Sequence, residues 1–169
     1  TTTALAGHVL AAAGRPCRVA GNIGLPYSEI LADLTPSSWV VLEVSSFQLE
    51  TIDRFHPRVA VHLPVTPDHL DRYVDLEAYA GSKALILANQ QAGDVAILNS
   101  ADSWVRAAGR CARGTRLFFN TRNRRDEGAW VDEDEIFFES ATGQTIDRDC
   151  KMEANEIHRG AMMLGLDPF

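Results

Sequence analysis

The chain has 169 residues, of which 46% are hydrophobic and 23% are charged, and this composition suits one globular domain with a full core. Its net charge of −7 argues against a general nucleic-acid-binding protein, and no apolar run reaches the length of a membrane helix. Cys17, Cys111 and Cys150 are odd in number and lack metal-ligand spacing, so we expect reduced thiols in a cytoplasmic protein.

The first predicted helix covers residues 1–14, where Leu5 and Val9 lie at helical spacing and Gly14 ends the segment. Threonines that open a helix often follow the Gly-rich loop of a phosphate-binding protein, in which a Ser/Thr hydroxyl binds magnesium. Threonines at a helix start also serve simply as caps. We expect that the chain begins just after such a loop, which makes Thr1 a candidate residue of a nucleotide site.

A short predicted strand at Cys17–Ala20 leads into the loop Gly21-Asn22-Ile23-Gly24-Leu25-Pro26. Two glycines around Asn22 let the backbone turn tightly and approach a ligand. The loop does not match the fingerprint of a dinucleotide site, because the third glycine is missing. A short helix is predicted over Tyr27–Leu34 and ends before Pro36.

The most informative predicted strand is Trp39–Val44, whose large apolar residues are typical of a strand buried on both faces of a parallel sheet. Glu43 interrupts this strand near its carboxyl end, and Ser45 and Ser46 follow at once. Ligands of open α/β sheets bind outside the carboxyl ends of strands, so these polar residues are well placed for chemistry. On this strand alone, a carboxylate that faces a helix N-terminus or an arginine explains Glu43 equally well.

A second polar segment, Thr66–Tyr73, follows the next predicted strand, Arg58–Leu63. It contains Asp68 and His69, two side chains that can transfer protons or bind a metal. Because this segment also lies at the end of a strand, the two segments together favour a functional site over the structural alternative.

Asp75 is predicted to cap a helix over Leu76–Gln90 that carries Lys83 on its apolar stripe. A lysine is almost never fully buried unless it is paired, so Lys83 must reach solvent, find a carboxylate or be chemically modified. Lys83 and Lys151 are the only lysines among 16 basic residues. This bias gives Lys83 weight, because lysine, unlike arginine, gives up its proton readily.

The rest of the chain alternates strands and helices before an acidic hairpin and a closing helix. The predicted elements are a strand at Asp94–Leu98, a helix that ends near Gly109, a strand at Thr115–Phe119, hairpin strands at Ala129–Val131 and Ile136–Glu139, and a helix at Met152–Gly165. This alternation predicts an α/β fold with a doubly wound, mostly parallel sheet and a small antiparallel hairpin extension.

Three segments together resemble the Mur ligase family: Gly21–Pro26, Leu42–Glu50, and Thr66–Tyr73 with Lys83 beyond it. The string Glu-Val-Ser-Ser-Phe-Gln at Glu43–Gln48 is most similar to members that add D-glutamate to UDP-N-acetylmuramoyl-L-alanine. The family has three domains. The resemblance implies that residues 1–169 are the central ATP-binding domain, truncated at both ends, without the N-terminal UDP-binding domain and the C-terminal amino-acid domain.

The resemblance also implies a metal site. Glu43 and His69 match the magnesium ligands of the family, although histidine is an unusual ligand for magnesium. Lys83 matches the lysine that the family carries as a carbamate, a third metal ligand. His69 and Lys83 are therefore the implied catalytic residues. Burial would favour the neutral amine that carbamylation requires, and the product is an anion that attracts the metal.

Further positions match the substrate and nucleotide sites of the family. Asn22, Ser45 and Gln48 match residues that line the site for the UDP-muramoyl substrate, and Asn155 matches an asparagine that contacts adenine. The implied activity is that of an ATP-dependent ligase in peptidoglycan synthesis. ATP phosphorylates the substrate carboxylate, and the amine of D-glutamate then attacks the acyl phosphate. The implied protein is a cytoplasmic monomer without nucleic-acid or membrane partners.

Two departures from the family pattern accompany this resemblance. Pro64 stands where the family usually has Asn, and Lys151-Met152 replaces the His-Asn that normally precedes Asn155. Since the phosphate-binding loop would precede Thr1, we expect residues 1–169 alone to be inactive.

Two alternatives remain: another Mur or folylpolyglutamate-type ligase, which the Ser-Ser-Phe-Gln string disfavours, and a non-catalytic α/β binding module with structural polar strand ends.

Overall fold

The computed structural model of the chain describes residues 2–15, 17–121, 128–132 and 135–139. These residues fall into two compact units, one within residues 2–45 and the other within residues 46–139. None of the helices in the described ranges is both long enough and apolar enough to span a bilayer.

The first unit is a two-stranded parallel sheet with helices packed against it. Its elements are helix α1 (Thr2–Ala12), strand β1 (Cys17–Gly21), helix α2 (Tyr27–Ile30), a 3₁₀ turn (Leu31–Asp33) and strand β2 (Trp39–Glu43). The strands pair so that Gly21 lies opposite Glu43. Gly7 lets α1 approach β1 closely, because a Cβ at this position would come within 2.3 Å of Val19 Cγ2.

Strand β2 is less buried than its sequence predicted. It pairs in parallel as expected, but none of its five side chains is fully buried, and Trp39 is 46% exposed. A two-stranded sheet with α1 against it leaves much of β2 accessible, so the prediction of burial on both faces is wrong for the described unit. The apolar run reflects a strand that is only partly covered here.

The second unit is a five-stranded sheet with the strand order β3-β4-β5-β6-β7. Its elements are α3 (Ser46–Leu49), β3 (Val59–His62), α4 (Leu76–Ala84), a 3₁₀ turn (Leu85–Leu87), β4 (Val95–Asn99), α5 (Ser103–Gly109), β5 (Thr115–Thr121), β6 (Gly128–Asp132) and β7 (Glu135–Glu139). Strands β3 to β6 pair in parallel, with an irregular register between β5 and β6. β7 is antiparallel to β6.

The core of the second unit lies where α4 and α5 pack on the sheet. Ala96 and Leu98 of β4 and Val105 of α5 are completely buried. Gly109 allows this close packing, because a Cβ there would come within 2.4 Å of Leu98 Cδ1. Burial of one leucine or valine side chain contributes about 1.5–3 kcal/mol, so this cluster is a main source of stability.

Two aspartates cap the helices of the second unit. Asp75 Oδ1 accepts a hydrogen bond from Ala78 N at 2.8 Å, which confirms the predicted cap of α4. Asp102 accepts from two backbone N–H groups of α5, and its Oδ2 also accepts from Val65 N at 2.7 Å. Each cap contributes about 1 kcal/mol. Asp102 therefore also fixes the start of the loop that carries His69.

Helix α4 is shorter than predicted. It ends at Ala84 and continues as the 3₁₀ turn Leu85–Leu87, whereas the sequence predicted a helix up to Gln90. Gln90 is completely buried, and its Nε2 donates to the carbonyl oxygens of Pro57 at 3.1 Å and Val95 at 2.9 Å. These contacts tie the buried Gln90 side chain to β4 and to the segment before β3.

The predicted α/β class with parallel strands is confirmed. Cys17 and Cys111 form no disulfide within the described residues. Cys150, the helix predicted at Met152–Gly165 and the acidic residues between β6 and β7 lie outside the described residues.

Candidate functional site

Glu43 lies at the carboxyl end of β2 and is half-buried. Its Oε2 accepts a hydrogen bond from Thr3 Oγ1 at 3.4 Å, in the first turn of α1. The structural alternative, a carboxylate beside a helix N-terminus, therefore describes part of its surroundings. No arginine or lysine of the described residues forms an ion pair with Glu43, so its charge is not neutralised by a fixed cation there.

A glycine holds the backbone beside this carboxylate. Gly21 has φ 112°, and a Cβ on it would come within 2.1 Å of Glu43 O, so the two strand ends can approach only because this residue is glycine. Asn22 N donates to Glu43 O at 2.9 Å. We call Gly21, Asn22 and Glu43 the β2 end. The Asn22 side chain is exposed next to the half-buried Glu43.

In the second unit, His69 lies in a turn with a left-handed backbone. Its φ of 53° makes it the only non-glycine residue with positive φ in the described part of the chain. Its carbonyl oxygen accepts from Arg72 N at 3.0 Å and Tyr73 N at 3.1 Å, and its own N donates to Asp68 Oδ1 at 2.8 Å. Such a backbone costs about 1–2 kcal/mol, so the surrounding contacts must hold it.

Aromatic rings surround the His69 imidazole. The ring centroid of Phe47 lies 4.9 Å from that of His69, and that of Tyr79 lies at 6.0 Å. The ring centroid of Tyr73 lies 6.0 Å from that of Phe47 and 5.2 Å from that of Tyr79. We call Phe47, His69, Tyr73 and Tyr79 the aromatic cluster. The histidine is thus held by its neighbours but remains 45% exposed, so a ligand can reach it.

Lys83 lies beside the same cluster. Its Nζ is 4.9 Å from the ring centroid of Tyr79, a cation–π contact worth about 0.5–1 kcal/mol at an accessible site. His69 and Lys83 therefore share Tyr79 as a neighbour. Lys83 is half-buried, so the prediction that it lies on a buried face is only partly correct.

The sequence did not single out His62, at the carboxyl end of β3. Only 4% of it is exposed, and this burial holds the pKa of His62 below its ordinary value. The hydrogen bond to Leu63 O, 2.9 Å from Nδ1, opposes this pKa shift, and the positive charge of Lys83 adds to it. The available signal was a single histidine within an otherwise apolar strand.

A second group that the sequence did not reveal connects α3, the His69 turn and α4. Arg72 forms an ion pair with Glu50, and its guanidinium lies 4.9 Å from the ring centroid of Phe47. A hydrogen bond from Tyr73 and the charge of Arg72 hold the pKa of Glu50 below its ordinary value. The buried Ser82 Oγ donates to Ser46 O at 3.0 Å.

Comparison with known proteins identifies the family. The family model of the Mur ligase middle domain matches residues 1–158. The chain belongs to the Mur ligase family. The three segments that resemble this family fall within the matched region, so the resemblance to the family is confirmed.

Several similar Mur ligases have the same name, UDP-N-acetylmuramoylalanine–D-glutamate ligase. The protein of Acidobacterium capsulatum is 46% identical over 143 residues, which are 83% of this chain and 31% of that protein. The protein of Koribacter versatilis is 40% identical over 144 residues, 85% of this chain and 32% of that protein. The protein of Salinibacter ruber is 52% identical over 114 residues, which are 64% of this chain and 25% of that protein. The chain thus spans about a third of the length of these relatives.

The metal predicted for this Mur ligase domain can be compared with the donor groups present. Nowhere in the described ranges do three His, Cys, Asp or Glu side chains form a cluster that could hold a metal. Glu43 suits magnesium because it offers anionic oxygen without a fixed cation, and His69 suits it less well. Lys83 as an ammonium would repel a cation and could bind one only as a carbamate. Glu43 belongs to the first unit, and His69 and Lys83 to the second.

The remaining predicted residues lie in different parts of this Mur ligase domain. Ser45 is half-buried and follows β2, whereas Gln48 is exposed on α3, next to Phe47. Thr1 and Asn155 lie outside the described residues. The structure therefore places Asn22 beside Glu43, and it places His69 and Lys83 each against the ring of Tyr79.

Proposed function

We propose that this chain is the central ATP-binding domain of a three-domain ligase that adds D-glutamate to UDP-N-acetylmuramoyl-L-alanine in peptidoglycan synthesis. The observation that carries the proposal is the 40–52% identity to proteins that bear the name of this activity. The matched relatives are about three times as long as the chain, in agreement with additional domains for the UDP substrate and the amino acid. Residues 1–169 alone are proposed to be inactive.

The reaction we propose has two balanced steps. An oxygen of the substrate's terminal carboxylate attacks the γ-phosphorus of ATP, which forms an acyl phosphate and releases ADP. The nitrogen of D-glutamate then attacks the acyl carbon, an amide bond forms, phosphate leaves and the nitrogen loses a proton. Both steps require the reacting groups to be held in line, and fixed charges must stabilise the phosphoryl group.

Residues at the ends of β1 and β2, on α3 and in the His69 turn are proposed to hold the metal and the muramoyl substrate. The Glu43 carboxylate and the His69 imidazole would hold magnesium, and this ion would neutralise charge on the transferring phosphoryl group. The exposed amide side chains of Asn22 and Gln48 contact the UDP-muramoyl substrate together with Ser45. Their neighbours support these roles, because Glu43 has no fixed cation in the described residues and the His69 ring remains accessible.

The nucleotide contacts are proposed on sequence alone. Thr1 and Asn155 contact ATP, at its phosphates and its adenine respectively. Lys83 is proposed to react with carbon dioxide in the complete enzyme, where its neutral amine forms an N–C bond and releases a proton to give a carbamate anion. The change from cation to anion converts repulsion of magnesium into attraction. In the 169-residue chain we expect Lys83 to remain an unmodified ammonium on Tyr79.

The test is release of phosphate by the full-length protein that contains this chain. We expect phosphate release only when ATP, UDP-N-acetylmuramoyl-L-alanine and D-glutamate are all present, with L-glutamate as the matched control for the amino acid. Phosphate release with a folate and L-glutamate would instead establish the folylpolyglutamate-type alternative. Absence of any ATP-dependent product would favour a non-catalytic binding module.

A further inference from the structure

His69 occupies a backbone conformation that needs support. Its φ of 53° is unfavourable for a residue with a Cβ, and its side chain is 45% exposed, so the turn is not fixed by burial alone. The two hydrogen bonds to its carbonyl oxygen come from Arg72 N and Tyr73 N. These hydrogen bonds join the His69 backbone to the end of the turn at Arg72.

The Arg72 side chain anchors this end of the turn to α3. Its guanidinium forms an ion pair with Glu50, directly after α3, and lies 4.9 Å from the centroid of Phe47 and 5.9 Å from that of Tyr73. The same Phe47 ring packs 4.9 Å from the imidazole of His69. Arg72 and His69 thus contact one ring, and that ring precedes Gln48 in the sequence.

Buried hydrogen bonds extend this connection to α4. Ser82 Oγ donates to Ser46 O at 3.0 Å, lies 3.4 Å from Glu50 Oε1 and lies 3.2 Å from the hydroxyl of Tyr73. Ser82 is only 7% exposed and directly precedes Lys83. The contacts of Glu50 therefore join three elements, which carry Gln48, His69 and Lys83.

We propose that Arg72 and Glu50 are positioning residues, whose ion pair against Phe47 holds the His69 imidazole in the orientation that magnesium binding requires. This inference rests on the proposed function, because that function makes His69 a metal ligand. Side chains that orient a metal ligand typically change metal affinity 10–100-fold when they are removed, about the effect expected here. The planar guanidinium matters as well as its charge, since lysine cannot stack on the ring and pair with the carboxylate in the same way.

The variants are made in the full-length protein. Arg72→Lys keeps the charge and removes the planar group, Glu50→Gln removes the ion pair, and Phe47→Leu removes the shared ring. Arg54→Lys is the matched control, because Arg54 forms an ion pair with Asp53 in which both side chains are almost fully exposed. Each variant is assayed for kcat, for the KM of ATP and of the muramoyl substrate, and for the magnesium concentration that gives half the maximal rate.

We expect Arg72→Lys and Glu50→Gln to raise this magnesium concentration about tenfold with little change in either KM, and Arg54→Lys to leave it unchanged. A second measurement does not depend on activity. The NMR resonances of the His69 ring, shifted by the Phe47 ring current, should move in Arg72→Lys, Glu50→Gln and Phe47→Leu but not in Arg54→Lys. If one variant fails to fold, the other two still test the inference.

Three outcomes separate the two proposals. A wild-type protein without the D-glutamate-dependent activity would refute the proposed function, whereas the His69 resonances would still test the positioning role. Unchanged resonances and an unchanged magnesium requirement in Arg72→Lys and Glu50→Gln would overturn the inference. A raised KM for the muramoyl substrate with an unchanged magnesium requirement would also overturn it, because Arg72 would then contact the substrate directly.

Discussion

The β2 end and the aromatic cluster both present candidate site residues, but they hold them by different means. At the β2 end the backbone positions Glu43: Gly21 permits close approach, and Asn22 N donates to the carbonyl oxygen of Glu43. In the aromatic cluster, side chains hold His69, whose backbone is strained. Strand pairing is thus enough to position a residue at a strand end, whereas a residue in a turn needs neighbouring side chains that fix it.

The first prediction concerns Gly21, whose substitution should destabilise the protein by disrupting the backbone of the β2 end. Gly21→Ala places a Cβ within 2.1 Å of Glu43 O at a φ of 112°, so we expect a loss of about 3 kcal/mol in the free energy of unfolding. Gly24→Ala is the control, because Gly24 has φ 65° and no atom within 4 Å of the added Cβ, and should cost about 1 kcal/mol. Urea denaturation measures both. Equal losses would show that the close approach to Glu43 is unimportant.

The second prediction concerns the charge of Lys83 beside the aromatic cluster. We expect Lys83→Arg and Lys83→Ala each to reduce kcat about 100-fold, since guanidinium keeps its positive charge and cannot form the carbamate. Acetate should partly restore Lys83→Ala, because it supplies a carboxylate in the vacated space. Wild-type enzyme with acetate is the control. A fully active Lys83→Arg enzyme would contradict the carbamate hypothesis and leave Lys83 with only its cation–π contact with Tyr79.

The third prediction separates substrate contact from support of the cluster. Gln48→Ala should raise the KM of the muramoyl substrate about fivefold, the effect of one hydrogen bond, without changing the KM of ATP. Gln91→Ala, another exposed glutamine of the second unit, is the control. Should only the ATP constant change, the assignment of the two ligand sites would be reversed.

The smallest expected effect lies outside both regions, at the nearly buried Asp94. Its pKa is held below the ordinary value, first by the hydrogen bond from Gln91 N at 2.7 Å and then by His56. Because the pKa of Asp94 is lower in the folded state than in the unfolded state, the ionised carboxylate stabilises the fold. This stabilisation is fully present above the unfolded pKa of Asp94 and is lost as pH falls through its folded pKa.

Asp94→Asn should therefore weaken the dependence of Tm on pH below about pH 4, while kcat at neutral pH stays unchanged. Asp53→Asn is the control, because the Asp53 side chain is 94% exposed. Thermal unfolding at a series of pH values provides the measurement. Identical pH profiles for wild type and Asp94→Asn would contradict the assignment.

The sequence predicted the parts of the fold and site that depend on local pattern. The parallel strands, the Asp75 cap and the position of Glu43 at a strand end all follow from periodicity and residue type. The aromatic cluster could not be predicted, because Phe47 and Tyr79 are separated in sequence and meet only through tertiary packing. The Arg72–Glu50 ion pair could not be predicted for the same reason.

Two details of the prediction depended on neighbours that a single sequence does not reveal. The apolar run of β2 indicated burial, but burial depends on which elements cover the strand, and Trp39 is 46% exposed. The stripe of α4 predicted a buried Lys83 and a helix up to Gln90, but Lys83 is half-buried and the helix ends at Ala84. Pattern identifies the element, and its surroundings set its length and exposure.

The most direct test of the central claim, activation of a carboxylate by ATP, is an isotope-transfer measurement on the full-length protein. UDP-N-acetylmuramoyl-L-alanine labelled with ¹⁸O in its terminal carboxylate is incubated with ATP, magnesium and D-glutamate, and the released phosphate is analysed by mass spectrometry. The proposed reaction transfers one carboxylate oxygen to each phosphate, so we expect labelled phosphate in proportion to the amide formed. Amide formation with unlabelled phosphate would contradict the acyl-phosphate route and the role proposed for this domain.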